Sequence, residues 1–103
     1  MQPAELLAFL ADLANEVGLV VRRIPTASAE PGEPPPRSGT CRVGERFFVF
    51  LAAADPIEDR IDALVFGLRT ASPAALEGRY LPPAVRERLD RGAGGVRHPS
   101  GPR

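Results

Sequence analysis

The sequence contains no lysine, and it has one cysteine and one histidine among its 103 residues. All 13 basic residues are therefore arginines, a bias that is typical of a GC-rich bacterial genome and that does not by itself indicate a binding site. The single Cys41 excludes a disulfide within the chain and gives no indication of export. The single His98 lies in a Gly- and Pro-rich tail, where a catalytic base would not be held within hydrogen-bond reach of a substrate.

Long apolar runs and net charge are missing as well. No run approaches the roughly 18 apolar residues that a membrane-spanning helix requires. The first residues carry no positive charge, and Asp12 and Glu16 soon interrupt the apolar pattern. The formal net charge is zero, so the chain has no general attraction to nucleic acid or to a membrane surface. We therefore expect a cytoplasmic protein that makes no membrane contact.

The first half of the chain predicts one helix and three strands. A helix of about four turns begins near Pro3 and ends at Gly18. Residues 19–24 are rich in β-branched side chains and predict the first strand. Further along, Gly44-Glu45 suits a two-residue type II′ turn, which would join two more strands into a hairpin.

The strongest helical signal follows the hairpin. Asp55 is placed to cap this helix, Pro56 suits its first position, and Glu58 would complete a capping box. Its apolar stripe consists of Ile57, Ile61, Leu64, Val65 and Leu68. A shorter helix with weaker amphipathic character follows within residues 80–91.

These elements predict an α+β fold: a small three-stranded antiparallel sheet with helices packed mainly on one face, in the order α-β-β-β-α-α. Residues 1–91 would form a single domain that contains a flexible Pro-rich loop at residues 25–38. Residues 92–103 would form a disordered C-terminal tail.

Both faces of the predicted hairpin are apolar, although an antiparallel sheet usually leaves one face to water. Cys41, Val43, Phe48 and Phe50 share one face, and Phe47, Val49 and Leu51 lie on the other with Thr40 and Arg42. We expect the helices to cover the first face, which would bury Cys41 as a structural thiol. Phe47, Val49 and Leu51 would then form a protein-contact surface, unless residues 80–89 fold over it.

The residues that carry chemistry are few. Asp55, Asp59 and Asp62 have the spacing of one helical turn that a metal site could use. Helix capping, the helix dipole and a solvated surface explain the same carboxylates without a metal. No phosphate-binding glycine loop or paired-cysteine motif occurs. We therefore predict no catalytic, cofactor-binding or metal-binding residues, and a protein that is not an enzyme.

The C-terminal third has an excess of positive charge and offers an alternative. Its two carboxylates, Glu87 and Asp90, stand against six arginines, which are Arg79, Arg86, Arg88, Arg91, Arg97 and Arg103. A weak nucleic-acid contact could use them, but the clustered basic and aromatic pattern of a phosphate-binding surface is lacking.

The order of a helix, a strand, a Gly-containing hairpin and a helix that begins near Pro56 resembles the minimal core of small bacterial zinc peptidases of the ImmA/IrrE type. In that family the second helix carries a zinc-binding HExxH motif. The motif would fall at residues 65–69, which read Val-Phe-Gly-Leu-Arg and contain neither the histidines nor the glutamate. The resemblance, which covers about residues 1–70, thus implies an inactive relative that serves as a binding module.

From these observations we predict a small non-enzymatic accessory or regulatory module that acts through protein contacts. Its partner would be another protein or a second copy of the chain. An inactive peptidase-like binding domain and a weak nucleic-acid contact remain the alternatives.

Overall fold

The described part of the chain comprises residues 1–26, 31–32, 34 and 36–92 of a computed structural model. Its elements in chain order are α1 (Pro3–Glu16), β1 (Val20–Ile24), β2 (Gly39–Val43), β3 (Arg46–Ala52), α2 (Ile57–Ala71), α3 (Pro73–Glu77) and α4 (Pro83–Arg91). The predicted α+β class, with helices packed mainly on one face of the sheet, is confirmed. The tail predicted for residues 92–103 lies outside the described residues from position 93 onward, as does part of the predicted Pro-rich loop.

The hairpin forms with the predicted turn and register. Gly44 has a φ of +61°. Only glycines have a positive φ in the described part of the chain, so the second loop residue, Glu45, does not. A positive φ at the first loop position alone is the type II′ pattern. Val43 consequently lies opposite Arg46, and Cys41 opposite Phe48.

The first strand pairs differently from the prediction. β1 lies parallel to β3, and the sheet order is β1-β3-β2, so the sheet is mixed and the prediction of a purely antiparallel sheet is wrong. The most apolar strand, β3, lies at the centre of the sheet, because only a central strand has both of its edges paired with a neighbouring strand. A parallel pair needs a long crossover, which residues 25–38 and β2 together supply.

The end of that crossover is fixed at the C-terminal end of β3. The backbone N–H of Ser38 donates to Asp55 Oδ2 at 2.6 Å, and Ser38 Oγ accepts from the N–H of Ala52 at 2.9 Å. Asp55 therefore holds the chain that enters β2, and it does not cap α2 as predicted. The N-cap position of α2 is Pro56 instead.

The helices pack on the face of β3 that carries Phe47, Val49 and Leu51. α2 contacts β3 and β2, and α1 contacts β1 and α2. The close approach of α2 depends on Gly67, because a Cβ there would lie 2.8 Å from Val49 Cγ2. A helix with any larger residue at this position would have to move away from the sheet.

The C-terminal segment joins the helical layer. Leu81, Val85 and Leu89 are buried, and α4 contacts α1 and α2. The segment that could have covered a second sheet face therefore completes the core on the same side as the other helices.

Candidate functional site

One sheet face is left without a helix in the described part of the chain, and we give the name open face to the eight side chains on it that are not buried. They are Val20, Arg22 and Ile24 of β1, Cys41 and Val43 of β2, and Arg46, Phe48 and Phe50 of β3. A ninth side chain, Ala52, lies opposite Ile24 on this face and is fully buried. None of the eight is buried, and the side chain of Val43 is 58% exposed. The apolar members also stand outside the hydrophobic core cluster.

Aromatic rings and arginines dominate the central strand of the open face. The rings of Phe48 and Phe50 are stacked, with 6.0 Å between centroids and 9° between planes. The Arg46 guanidinium lies 5.8 Å from the Phe48 ring centroid, within the range of a cation–π contact. Arg22 lies opposite Phe50 in the register of β1 and β3. The open face is therefore an apolar centre with two arginines and no carboxylate among its eight residues.

The predicted contact surface lies inside the core. Phe47 is 9% exposed, Val49 is fully buried and Leu51 is 2% exposed. They contact the helical layer, so they cannot form a surface for a partner in the folded chain. The assignment of the two sheet faces was wrong, because the helices cover the face that we expected to remain open.

Cys41 is also placed on the opposite side from the prediction. Its side chain is exposed on the open face instead of buried as a structural thiol. Its Sγ makes one weak contact, to the carbonyl oxygen of Arg42 at 3.9 Å. His98 lies outside the described residues, so no described histidine stands near this thiol.

Three of the four described arginines of the C-terminal third, Arg79, Arg86 and Arg88, are engaged within the chain, and Arg97 and Arg103 lie outside the described residues. Arg79 forms an ion pair with Glu16 at 2.9 Å. Arg86 donates to the carbonyl oxygens of Leu76 and Arg79. These contacts remove much of the support for a nucleic-acid surface in this region.

Arg88 pairs with Asp62, one of the three carboxylates that could have suggested a metal site, and with the neighbouring Glu58. Its side chain is 7% exposed, and its guanidinium forms ion pairs with Asp62 and, at 3.3 Å, with Glu58. Asp55 binds the backbone of Ser38. The described residues contain no group of three or more His, Cys, Asp or Glu side chains arranged to hold a metal ion.

A shallow cleft of about 260 Å³ lies at the junction of α1 with the segment before α4. Its polar lining consists of Asp12, Glu16, Arg79 and Tyr80. Glu16 and Arg79 pair with each other across it. The cleft therefore brings together no nucleophile in its described lining. Asp12 is the one candidate general base in that lining that is free of an internal partner.

The helix segment that aligns with the zinc-binding motif of the ImmA/IrrE type has a packing role. Val65, Gly67 and Leu68 are buried against the core. No family model, curated protein or solved structure matches this chain. None of the described helices is long and apolar enough to cross a bilayer.

Sequence reasoning missed Arg22 and Arg46 as members of the candidate site. A signal for Arg46 was present, because alternation along β3 places it on the same face as Phe48 and Phe50. Arg22 could not be placed without knowing that β1 pairs with β3 in parallel.

Proposed function

We propose that this protein is a small non-enzymatic accessory module that binds another protein through the open face of its sheet. The observation that carries the proposal is that Phe48 and Phe50, both half-buried, lie with the exposed Val43 on a sheet face that no described helix covers. Contiguous apolar surface of this kind marks an interaction site on a small domain. The contact residues are thus those of the open face, and not Phe47, Val49 and Leu51.

The composition of the open face supports a protein partner. Six of its eight residues are apolar, two are arginines and none is acidic. Enrichment in aromatic residues and arginine, with depletion of carboxylates, is the compositional signature of the core of a protein interface. An enzymatic role has less support, because the cleft near Tyr80 assembles no catalytic group beyond the carboxylate of Asp12.

Photo-cross-linking in native cells tests the proposal. The photoreactive amino acid p-benzoyl-phenylalanine replaces Phe48 in one variant and Tyr80, an 83% exposed aromatic residue of the helical layer, in the control. We expect a discrete adduct of higher mass from position 48, resistant to nuclease and sensitive to protease, and little or none from position 80. Absence of an adduct at position 48, or an adduct that nuclease removes, would contradict a protein-binding role for this face.

A further inference from the structure

The central strand has the composition of a strand that is covered on both faces. β3 reads Arg-Phe-Phe-Val-Phe-Leu-Ala, and one of its two neighbours, β1, is parallel to it. All-parallel sheets normally carry helices on both faces, and their strands form nearly continuous apolar runs such as that of β3. In the described part of the chain, the helices cover one face. We propose that the open face docks one acidic amphipathic helix of a partner protein, an inference that rests on the proposed function above.

The dimensions of the open face fit a single helix. On β3 the open face runs over the five residues from Arg46 to Phe50, because Ala52 is buried, so it is about 16 Å long, and three strands make it about 14 Å wide. A helix with its side chains is about 10–12 Å in diameter, and roughly 11 residues, or three turns, span the length of the face.

Charge selects an acidic partner over a second copy. Arg22 and Arg46 are both exposed, and no carboxylate of the described residues lies within ion-pair distance of either. Two copies joined face to face would bring four guanidinium groups into one interface without an acid from either open face. Such like-charge juxtaposition opposes association, whereas carboxylates on the flanks of a partner helix would complement these arginines.

The register of the sheet sets where those carboxylates should lie. Arg22 stands opposite Phe50, and Arg46 precedes Phe50 by four residues on the adjacent strand. The two arginine Cα atoms are therefore about 14 Å apart, which corresponds to two to three turns of a helix lying along the strands. The apolar stripe of that helix would contact Phe48 and Phe50.

A single-stranded nucleic acid is the competing occupant, because it also combines negative charge with stacking groups. Proteins that bind it place a row of positive charges along the path of the backbone. The open face has only two arginines beside its six apolar residues, and the chain has no net charge. The balance of apolar area over charge favours an amphipathic helix.

Selection from a displayed library tests the proposal. The library consists of 16-residue amphipathic helices with a fixed Leu/Ile stripe, in which the flanking positions vary among Glu, Lys and Gln. The full-length chain is the bait as wild type, as the double variant Arg22→Glu/Arg46→Glu and as the control variant Arg23→Glu. Arg23 is the neighbour of Arg22 but lies opposite Leu51, on the other face. Circular dichroism shows that each bait is folded before use.

We expect wild type and Arg23→Glu to enrich Glu over Lys at the flanks by about tenfold or more, and the double variant to reverse this preference. In fluorescence anisotropy, Phe50→Glu should weaken binding of the selected peptide by at least about thirtyfold. The same anisotropy titration measures the binding of a 20-nucleotide oligo(dT) to the protein. Sedimentation gives the mass of the wild-type protein and so shows whether it is a monomer or a dimer.

Several outcomes would overturn the proposal. One is that no flank residue is enriched, and another is that wild type and the double variant select the same flank residues. The others are that oligo(dT) binds more tightly than the selected peptide, or that wild type forms a dimer that Phe48→Glu dissociates. If one of them occurs while position 48 still forms a protein adduct in cells, the helix proposal fails and the proposed function stands. If position 48 forms no protein adduct, the proposed function fails as well.

Discussion

The two faces of the sheet are almost equal in composition, yet the fold treats them differently. The side facing the helices carries Leu19, Val21, Phe47, Val49 and Leu51, with Arg23 and Arg42 at its rim. The open face carries five large apolar residues, one cysteine and also two arginines. The first face forms the core, whereas the second has no described helix over it and keeps its phenylalanines half-buried. Because an exposed face of this composition is costly to maintain in water, the similarity of the two faces itself supports a partner for the open one.

The largest expected effect compares two valines on neighbouring strands. Val49→Glu should prevent folding, because it places an unpaired carboxylate at a fully buried position. Val43→Glu, at a 58% exposed position on the open face, should change stability by no more than about 0.5 kcal/mol. Circular dichroism and denaturant titration of both variants give the comparison. A folded Val49→Glu protein would show that this face is not the core.

Leu64 tests the packing of α2 against the helix-facing side. It is fully buried, so Leu64→Ala should lower the free energy of unfolding by about 2–5 kcal/mol through lost burial and a residual cavity. Urea titration measures this loss directly. A loss below about 1 kcal/mol would place Leu64 near the surface and contradict the described packing.

The arginines show the same contrast on a smaller scale. Arg88 links α4 to α2 through Asp62 and Glu58, whereas Arg22 has no described ion-pair partner. Arg88→Ala should cost about 1–3 kcal/mol, because a buried ion pair is broken while its carboxylates keep partial access to water. Arg22→Ala should stay within about 0.5 kcal/mol of wild type in the same urea titration. Equal losses for the two variants would remove the distinction between structural and surface arginines.

The sequence predicted the elements well, because each has a local signal. The Gly44 turn, the stripe of α2, and the Pro and Gly residues that bound α1 and α4 act over a few residues and need no tertiary information. The partner of β1 had no such signal, since pairing with either hairpin strand satisfied the alternation of its side chains.

The covered face was not predictable for a related reason. With nearly equal composition on both faces, the choice depends on where the connections place α1 and α2. One clue was available in Gly67, because an isolated glycine within a strong helical pattern often marks close packing. Its contact with Val49 identifies the face, but only once the helix and the strand are known to meet. The candidate site was assigned together with the uncovered face. It was therefore predicted on the correct strand, β3, but on the side that the helices cover.

Cysteine reactivity tests the central claim, that the open face is accessible and the opposite face is core. Cys41 is the only cysteine of the chain and lies exposed on the open face. A matched protein carries Cys41→Ser with Val49→Cys, which places one thiol on the helix-facing side of β3. Alkylation by iodoacetamide is compared in native buffer and in urea. We predict that Cys41 reacts nearly as fast in the native protein as in urea, and that the thiol at position 49 reacts at least about a hundredfold more slowly in the native protein. Protection of Cys41 together with rapid reaction at position 49 would contradict the account.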